Sequence, residues 1–596
     1  MRKKKSKSGS RSRLKVVQKS IEFSKKVPFF TALANKMLEQ IGFTGLIDES
    51  VKWDKNQCNV SPGNLLKSFV LSTFMSGIRS PLSNVQERYE GIDTEILFGE
   101  GVLQEHLNDD AIGRSLDKLA KENPASLFGT LCLSAYSKYD IEFKRLHSDT
   151  TTVSFYGDYN TAETGGIEAA EDTESSKNKE ENEEDMESPL QIVRGYNKDH
   201  RPECKQVVIG KIVSEHGVPL YSKVMDGNTS DVEWNDKAVK MTREIFGERI
   251  NHGIYIADCK LIHKEMVKLL TDPERPVRFI SRCPANFHNK LAGKFTSKAY
   301  QDDNWIDLGS YGSGKKACTY KGCEYQETVY GRDIRVLVIQ SSNGHAGFLS
   351  KKEKQLSELE TDVKDTNKKI FVCKGDAKKE WERFQKKHKN SLYQYTVEYV
   401  ETKTEKRKRG NPGKNPEPPE IETKWNLNIQ VTGENEEKMN EFRQSEESFV
   451  LITNVKSEEK GIGEILGYYK DQYVVEVNFR YFKEPCLASV IYLKNEERIN
   501  ALMMLLSVSL LVRALMQYMM RRGYKENKDP LPKVGWNGAA LQPGLTVHFL
   551  SNAMQNEFFI RGGPYQYYYV YSNPKSELRV QTLLKLMGMT AEELLE

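Results

Sequence analysis

Between about residues 21 and 140 apolar side chains recur at three- and four-residue intervals, as in Leu65, Leu66, Phe69 and Val70 and again in Ile112, Leu116 and Leu119. This spacing predicts a helical N-terminal domain, with Asn108 and Asp109 as cap signals for the second run. From 141 to 285 the pattern shortens to strand length. Phe143 to Ser154 reads as a strand carrying Asp149; Gln206 to Val213 and Pro219 to Val224 read as two more, joined through the turn Glu215-His216-Gly217. A helix is expected over Val232 to Phe246, then a short strand His252 to Ala257 ending on Asp258, a helix Leu261 to Leu270, and a strand Val277 to Ser281. Three strands, helix, strand, helix, strand predicts an α/β architecture.

Residues 286–444 break that rhythm. Lys351 to Lys368 forms a charged helical pattern, and Tyr393, Tyr395, Val397 and Tyr399 alternate on a strand answered by Trp425, Leu427, Ile429 and Val431. Together they predict a β-rich insertion whose hairpin carries a basic, then proline-rich loop from Lys406 to Pro419. The segment 445–525 returns to the earlier style, with a buried strand Phe449 to Asn454, a long helix near Ile462 to Glu484, and a largely apolar helix Glu496 to Arg521. Residues 526–596 form a C-terminal region, a candidate for dimerisation.

Charge adds what periodicity does not show. The chain has 596 residues and 88 Lys+Arg against 84 Asp+Glu, a formal net charge of +4, but the balance is local. Residues 1–20 form a basic disordered tail carrying Arg2, Lys3, Lys4, Lys5, Lys7, Arg11, Arg13, Lys15 and Lys19 and no acid. Such a block attracts polyanions, and nucleic acid is the natural partner, although it also suits a solubilising tail. Residues 163–188 hold eleven acids and two lysines, an acidic loop too polar to pack. Composition, at 38% hydrophobic and 29% charged, excludes collagen-like, coiled-coil and wholly disordered chains.

The longest uncharged apolar stretch, Ala501 to Val512, stops at Arg513, short of the roughly 18–20 residues a bilayer span needs, so no membrane partner is expected. The basic N-terminus is followed by no apolar signal core, so a cytoplasmic location is expected. The scattered cysteines, with Cys318 and Cys323 as their one close pair, suggest neither a disulfide framework nor structural zinc.

The chemistry lies in carboxylates. On a helix advancing 100° per residue, Tyr469, Tyr473, Glu476, Arg480 and Lys483 share one face while Val475, Phe479 and Phe482 form a separate apolar stripe. Alone, Glu476 would be a member of an ordinary ion-pair ladder. Two strand-borne acids precede it, Asp149 in Leu-His-Ser-Asp-Thr-Thr-Thr and Asp258 at the end of Ile-Tyr-Ile-Ala-Asp, and strand ends in α/β sheets are where sites form. Converging there, the three would be hard oxygen ligands for Mg²⁺, and a pair of such ions serves phosphodiester chemistry. His147 would share the Asp149 face, but such a histidine is more often a packed strand residue.

These residues resemble the DDE transposases of bacterial insertion sequences, in the large group whose signature is Tyr-Arg-Glu-Lys. The frame here is Tyr469, Gln472, Glu476, Lys483, with Gln472 standing where the family has Arg and Arg480 on the same face. Further stretches match the group: DTTTVSFYGDY from Asp149, RGYNKDHRPECKQVVIG at 194–210, MDGNTSD at 225–231, and YIADCKLIHKE around Asp258. The resemblance covers roughly residues 60–520.

It implies a ribonuclease-H-like catalytic core, in two parts at 141–285 and 445–525, interrupted by the β-rich insertion and preceded by a helical DNA-binding domain. It implies that Asp149, Asp258 and Glu476 bind two Mg²⁺ ions, Mn²⁺ being the alternative, and that Tyr469, Gln472, Arg480 and Lys483 contact phosphates. Trp425 is a candidate to hold a flipped base, against its plainer reading as a core tryptophan. The expected activity is end cleavage and joining of the freed 3′-hydroxyl to target DNA, by a homodimer on double-stranded DNA. The competing readings are an inactive transposase-derived DNA-binding regulator, which the Gln472 departure keeps open, and a ribonuclease-H-like nuclease.

Overall fold

The computed structural model describes residues 25–75, 82–155, 190–246, 253–312, 317–406, 420–483, 496–528, 530–533, 550, 554–563, 566–571 and 573–595. The basic tail, the acidic loop and residues 407–419 of the hairpin loop lie outside the described residues. Two compact units emerge: Met1–Leu261 with Lys470–Glu596, and Ile262–Tyr469. These boundaries lie about 25 residues from the changes of pattern at 285/286 and 444/445.

The first unit opens with a three-residue strand β1 (Lys26–Pro28) and a helical layer whose longer members are Phe29–Gln40, Pro62–Ser72, Asp109–Ala120 and Pro124–Lys138. Side chains start the last three of these helices, Asn108 among them as expected. Ser61 accepts from the Asn64 amide, Asn108 from Ala111 and Asn123 from Ser126, each satisfying a donor the first turn leaves free. The apolar positions Leu66, Val70, Ile112, Leu116 and Leu119 are buried.

Behind this layer, β2 (Arg145–Phe155), β3 (Lys205–Ser214), β4 (Pro219–Met225) and β5 (Ile254–Ala257) lie in the order β4-β3-β2-β5. The pairs β4/β3 and β3/β2 are antiparallel, whereas β2/β5 is parallel. Strand β3 is buried almost throughout, as its apolar run QVVIGKIV requires of a strand covered on both faces. The helix Asp231–Phe246 covers one face: Trp234 is fully buried, its indole N–H donates to Ser148 Oγ at 3.0 Å, and a Cβ on Gly210 would meet its ring at 2.2 Å. On the other face Val213 packs with Val475 and Phe479 of the helix Tyr473–Phe482.

The second unit contributes β6 (Arg278–Arg282), β7 (Ile306–Tyr311), β8 (Cys318–Val329), β9 (Arg332–Ser341), β10 (Ile370–Phe371), β11 (Tyr393–Lys406), β12 (Glu420–Glu434) and β13 (Ser448–Thr453). Its larger sheet runs β6-β13-β9-β8-β7 and the smaller β10-β12-β11. The expected hairpin is present, with Val397 opposite Ile429 and Glu401 opposite Trp425. Its apolar face lies on the helices Ser342–Asn367 and Lys374–Lys387 through Phe348, Leu359, Phe384 and Leu427. The insertion therefore carries more helix than a β-rich reading foresaw.

Back in the first unit, the helix Glu496–Glu526 and the strands β14 (Phe558–Gly563) and β15 (Gln566–Val570) complete the fold. Strand β14 lies between β1 and β15, Val27 standing opposite Phe559. The long helix starts where expected and runs five residues beyond Arg521. By length and composition Glu497–Glu526 is apolar enough to cross a membrane, and 89% of its most apolar window is buried inside the protein. Arg513 is accommodated because its guanidinium donates to Thr73 O at 2.7 Å and lies 4.9 Å from the Phe74 ring centre. It is a core helix of this unit.

Candidate active site

Strands β2 and β5 set the two aspartates near one another. Their parallel register pairs Arg145 with Ile254, Leu146 with Tyr255 and His147 with Ile256; Asp149 lies two residues further along β2 and Asp258 just past the end of β5, near enough for its charge to act on Asp149. Strand β5 ends at Ala257 because the Asp258 carboxylate turns back to accept the Lys260 amide at 3.0 Å. Asp149 accepts the Thr150 amide at 2.7 Å. Burial pushes the Asp149 carboxyl up to about 6, against the opposing charge of Lys198, and the charges of Asp258 and Asp231 add to the rise. Burial also raises Asp258, with Asp231 again adding to the rise.

Two further residues, missed by sequence reasoning, belong to the cluster. Lys198 Nζ lies 3.5 Å from Asp149 Oδ1 and 3.3 Å from Asp231 Oδ1, while Thr150 Oγ1 donates to Asp231. Both lie in stretches already singled out, RGYNKDH and MDGNTSD, whose glycines explain the meeting. A Cβ on Gly195 would sit 2.2 Å from Gly227 O, and one on Gly227 would sit 2.1 Å from Gln206 O and 2.4 Å from Val193 O. The two loops cross backbone to backbone, which only glycine permits. Gly227→Ala is therefore expected to lower the stability of this unit by about 2 kcal/mol, read as a lower denaturant midpoint; an unchanged midpoint would mean the crossing relaxes at no cost.

The Glu476 helix lies over the sheet face that carries Asp149. Ser148 and Thr150 face Trp234 and Asp231, so by strand alternation Arg145, His147 and Asp149 face the opposite side. There Arg145 pairs with Asp471 at 2.7 Å and Asn478 Nδ2 donates to Gly217 O at 3.0 Å. The single helix expected from Ile462 to Glu484 is instead two, Ile462–Lys470 and Tyr473–Phe482. Asp471, held by Arg145, starts the second: Val474 N donates to Asp471 O and Val475 N to Gln472 O, a tight three-residue step that resets the phase. Tyr469 therefore does not extend the face of Glu476 by helical geometry; it belongs to the second unit, its ring 6.3 Å from that of Phe449.

Glu476 is exposed on this helix, about 160° around from Val474, which lines a pocket with Gly217 and Leu510 of the long helix. Glu476 itself is not among the residues that line it. Arg480, four residues on, lines that pocket with Tyr473 and Arg521, and among the described ion pairs none joins it to Glu476. Lys483 Nζ donates to Asp199 Oδ1 at 2.6 Å, beside Lys198. Gln472 is half-buried at the helix break. In the second unit Trp425 is half-buried against the hairpin cluster, with Lys374 Nζ 5.2 Å above its ring. His147 is fully buried; burial, with Arg145 adding, depresses it to about 3, which keeps it neutral.

As a metal site the donor set is chemically apt but assembled only in part. Asp149 and Asp258 supply hard oxygens whose carboxyls are raised chiefly by burial, the nearby Asp231 charge adding to it. Among the described residues no three His, Cys, Asp or Glu side chains come together closely enough to hold a metal ion. Glu476 is thus on the right face without being gathered to the aspartates.

A family described as a domain of unknown function (DUF4277) matches residues 24–133, the helical layer. Among solved structures the chain is similar to one described as the cryo-EM structure of piggyBac transposase synaptic complex with hairpin DNA. That likeness has a TM-score of 0.36 and 8% sequence identity, over 85% of this chain and 79% of that chain. No curated protein matches.

Proposed function

We propose that this protein is a DDE transposase that binds the ends of its element as a homodimer, cleaves there and joins the freed 3′-hydroxyl to target DNA in the bacterial cytoplasm. The observation that carries the reading is that β2, which bears Asp149, runs parallel beside β5, at whose end Asp258 follows, beneath a helix that bears Glu476. The strand order β4-β3-β2-β5, with two antiparallel steps and then a parallel one, supports a ribonuclease-H-like core.

Asp149, Asp258 and Glu476 would hold two Mg²⁺ or Mn²⁺ ions, which when bound supply an activated water or hydroxyl and stabilise the leaving oxygen. The chain's own part is positioning. The strands fix the aspartates, Glu476 would join them from its helix once DNA and metal are bound, and Lys483, Arg480, Gln472 and Tyr469 would offer donors for the phosphates of the cleaved end. Trp425, on the hairpin, would hold a flipped base. The helical layer and the basic tail would read the element's ends.

On labelled duplexes taken from the DNA flanking the gene, the protein is expected to cut at one defined end with Mg²⁺ or Mn²⁺ and not at all with the metal chelated. Specific binding without cutting would favour the regulator reading that Gln472 motivates, and cutting without end preference would favour a nuclease.

A further inference from the structure

Lys198 is held more firmly than a surface lysine. Its ammonium donates to Thr150 O at 2.9 Å and to Thr150 Oγ1 at 2.6 Å while lying against Asp149 and Asp231. The segment that presents it is bonded down to the sheet. The Lys198 amide donates to Thr152 Oγ1 at 3.1 Å, and the Asn197 side chain donates to Ser154 Oγ at 2.9 Å and Gln206 Oε1 at 2.8 Å. Asn197 Oδ1 in turn accepts the amides of Asp199 and Arg201. One ammonium thus serves two carboxylates, those of Asp149 and Asp231, while Asp258 acts on the same pair through its charge.

Resting on the metal-site reading above, we infer that Lys198 is a built-in counter-ion that holds Asp149 and Asp231 together in the metal-free protein and competes with the divalent cation for Asp149. A fixed positive charge within 4 Å opposes an incoming cation. It also lets the two loops that carry Lys198 and Asp231 assemble before any metal arrives. Metal affinity is then set low by design, so that oxygens of bound DNA are needed to complete the ion's shell, as suits a cation that keeps few protein ligands.

The test is Mn²⁺ titration by calorimetry and thermal unfolding on the full chain, comparing wild type with Lys198→Met, Lys198→Arg and Asp149→Asn. Lys198→Met is expected to bind Mn²⁺ about five- to tenfold more tightly, to melt lower without metal, and to gain more from Mn²⁺ than wild type does. Lys198→Arg should stay near wild type. If the Met variant does not fold, Lys198→Gln, which can still bond Thr150, replaces it. Unchanged or weaker Mn²⁺ binding in the charge-removed variant, with wild-type binding that Asp149→Asn abolishes, overturns the counter-ion role and leaves the metal reading standing. Absence of Mn²⁺ binding at Asp149 in every protein overturns both.

Discussion

Asp149→Asn should abolish end cleavage, a loss of about 10³-fold or more, while leaving affinity for the end duplex unchanged. A thousandfold loss is about 4 kcal/mol of transition-state stabilisation, the scale expected when a site that gathers positive charge around a phosphoryl centre loses one of its anions. The substitution keeps volume and the bond from the Thr150 amide, so the fold should survive. Asp258→Asn is expected to behave alike, because Asp258 follows the strand parallel to β2 and its charge acts on Asp149. Glu476→Gln separates the possibilities that remain: a loss of the same size puts Glu476 in the site once DNA is bound. Full activity in Glu476→Gln, with the aspartate variants dead, would transfer the third role to Asp231, which already shares Lys198 with Asp149.

Lys211→Met is expected to stabilise the first unit by about 2–4 kcal/mol at neutral pH and below. Lys211 is fully buried, stands opposite Asp149 across β2 and β3, and lies 3.4 Å from Ser507 Oγ. Burial lowers its ammonium from 10.5 to about 7, the charge of Cys132 opposing the shift weakly. The sign follows from proton counts. Between pH 10.5 and 7 the unfolded chain holds this proton and the folded chain does not, so stability falls as pH falls through that window. Below 7 the whole cost of charging a buried amine remains. The variant's advantage over wild type should therefore be full at pH 6 and fade as pH approaches 10.5, read as urea midpoints across that range. A pH-independent difference would mean that the ammonium is already solvated or paired in the fold.

Much of the first unit could be read from local pattern. The expected strands Gln206 to Val213 and Pro219 to Val224 and the helix Val232 to Phe246 lie within a residue or two of β3, β4 and Asp231–Phe246, because each is a short apolar or amphipathic run bounded by turn residues. Asn108 caps its helix for the same local reason. What escaped was decided at a distance. The helix break at Asp471 is set by Arg145, 326 residues away, and no periodicity within 462–484 contains that partner. Lys198 and Asp231 join Asp149 through a glycine crossing whose two halves look in sequence like ordinary loops. Strands β7, β8 and β9 went unseen because tyrosines, cysteines and charges share their inward positions, as in Cys318, Tyr320 and Arg335, which blurs the two-residue alternation.

The pairing of β1 with β14 places the chain's construction on a clock. Val27 leaves the ribosome long before Phe559, its partner across the sheet, and at 5–20 residues per second the interval is about half a minute to two minutes. Until then Lys26–Pro28 has an open edge, Asp93 lacks the guanidinium of Arg561 that lies 3.0 Å from it, and the Phe29 amide lacks Glu557 O. The helical layer therefore matures only when synthesis is nearly over. A polypeptide cut short anywhere before β14 would leave the helical layer, the region proposed to recognise DNA, without its last strand partner.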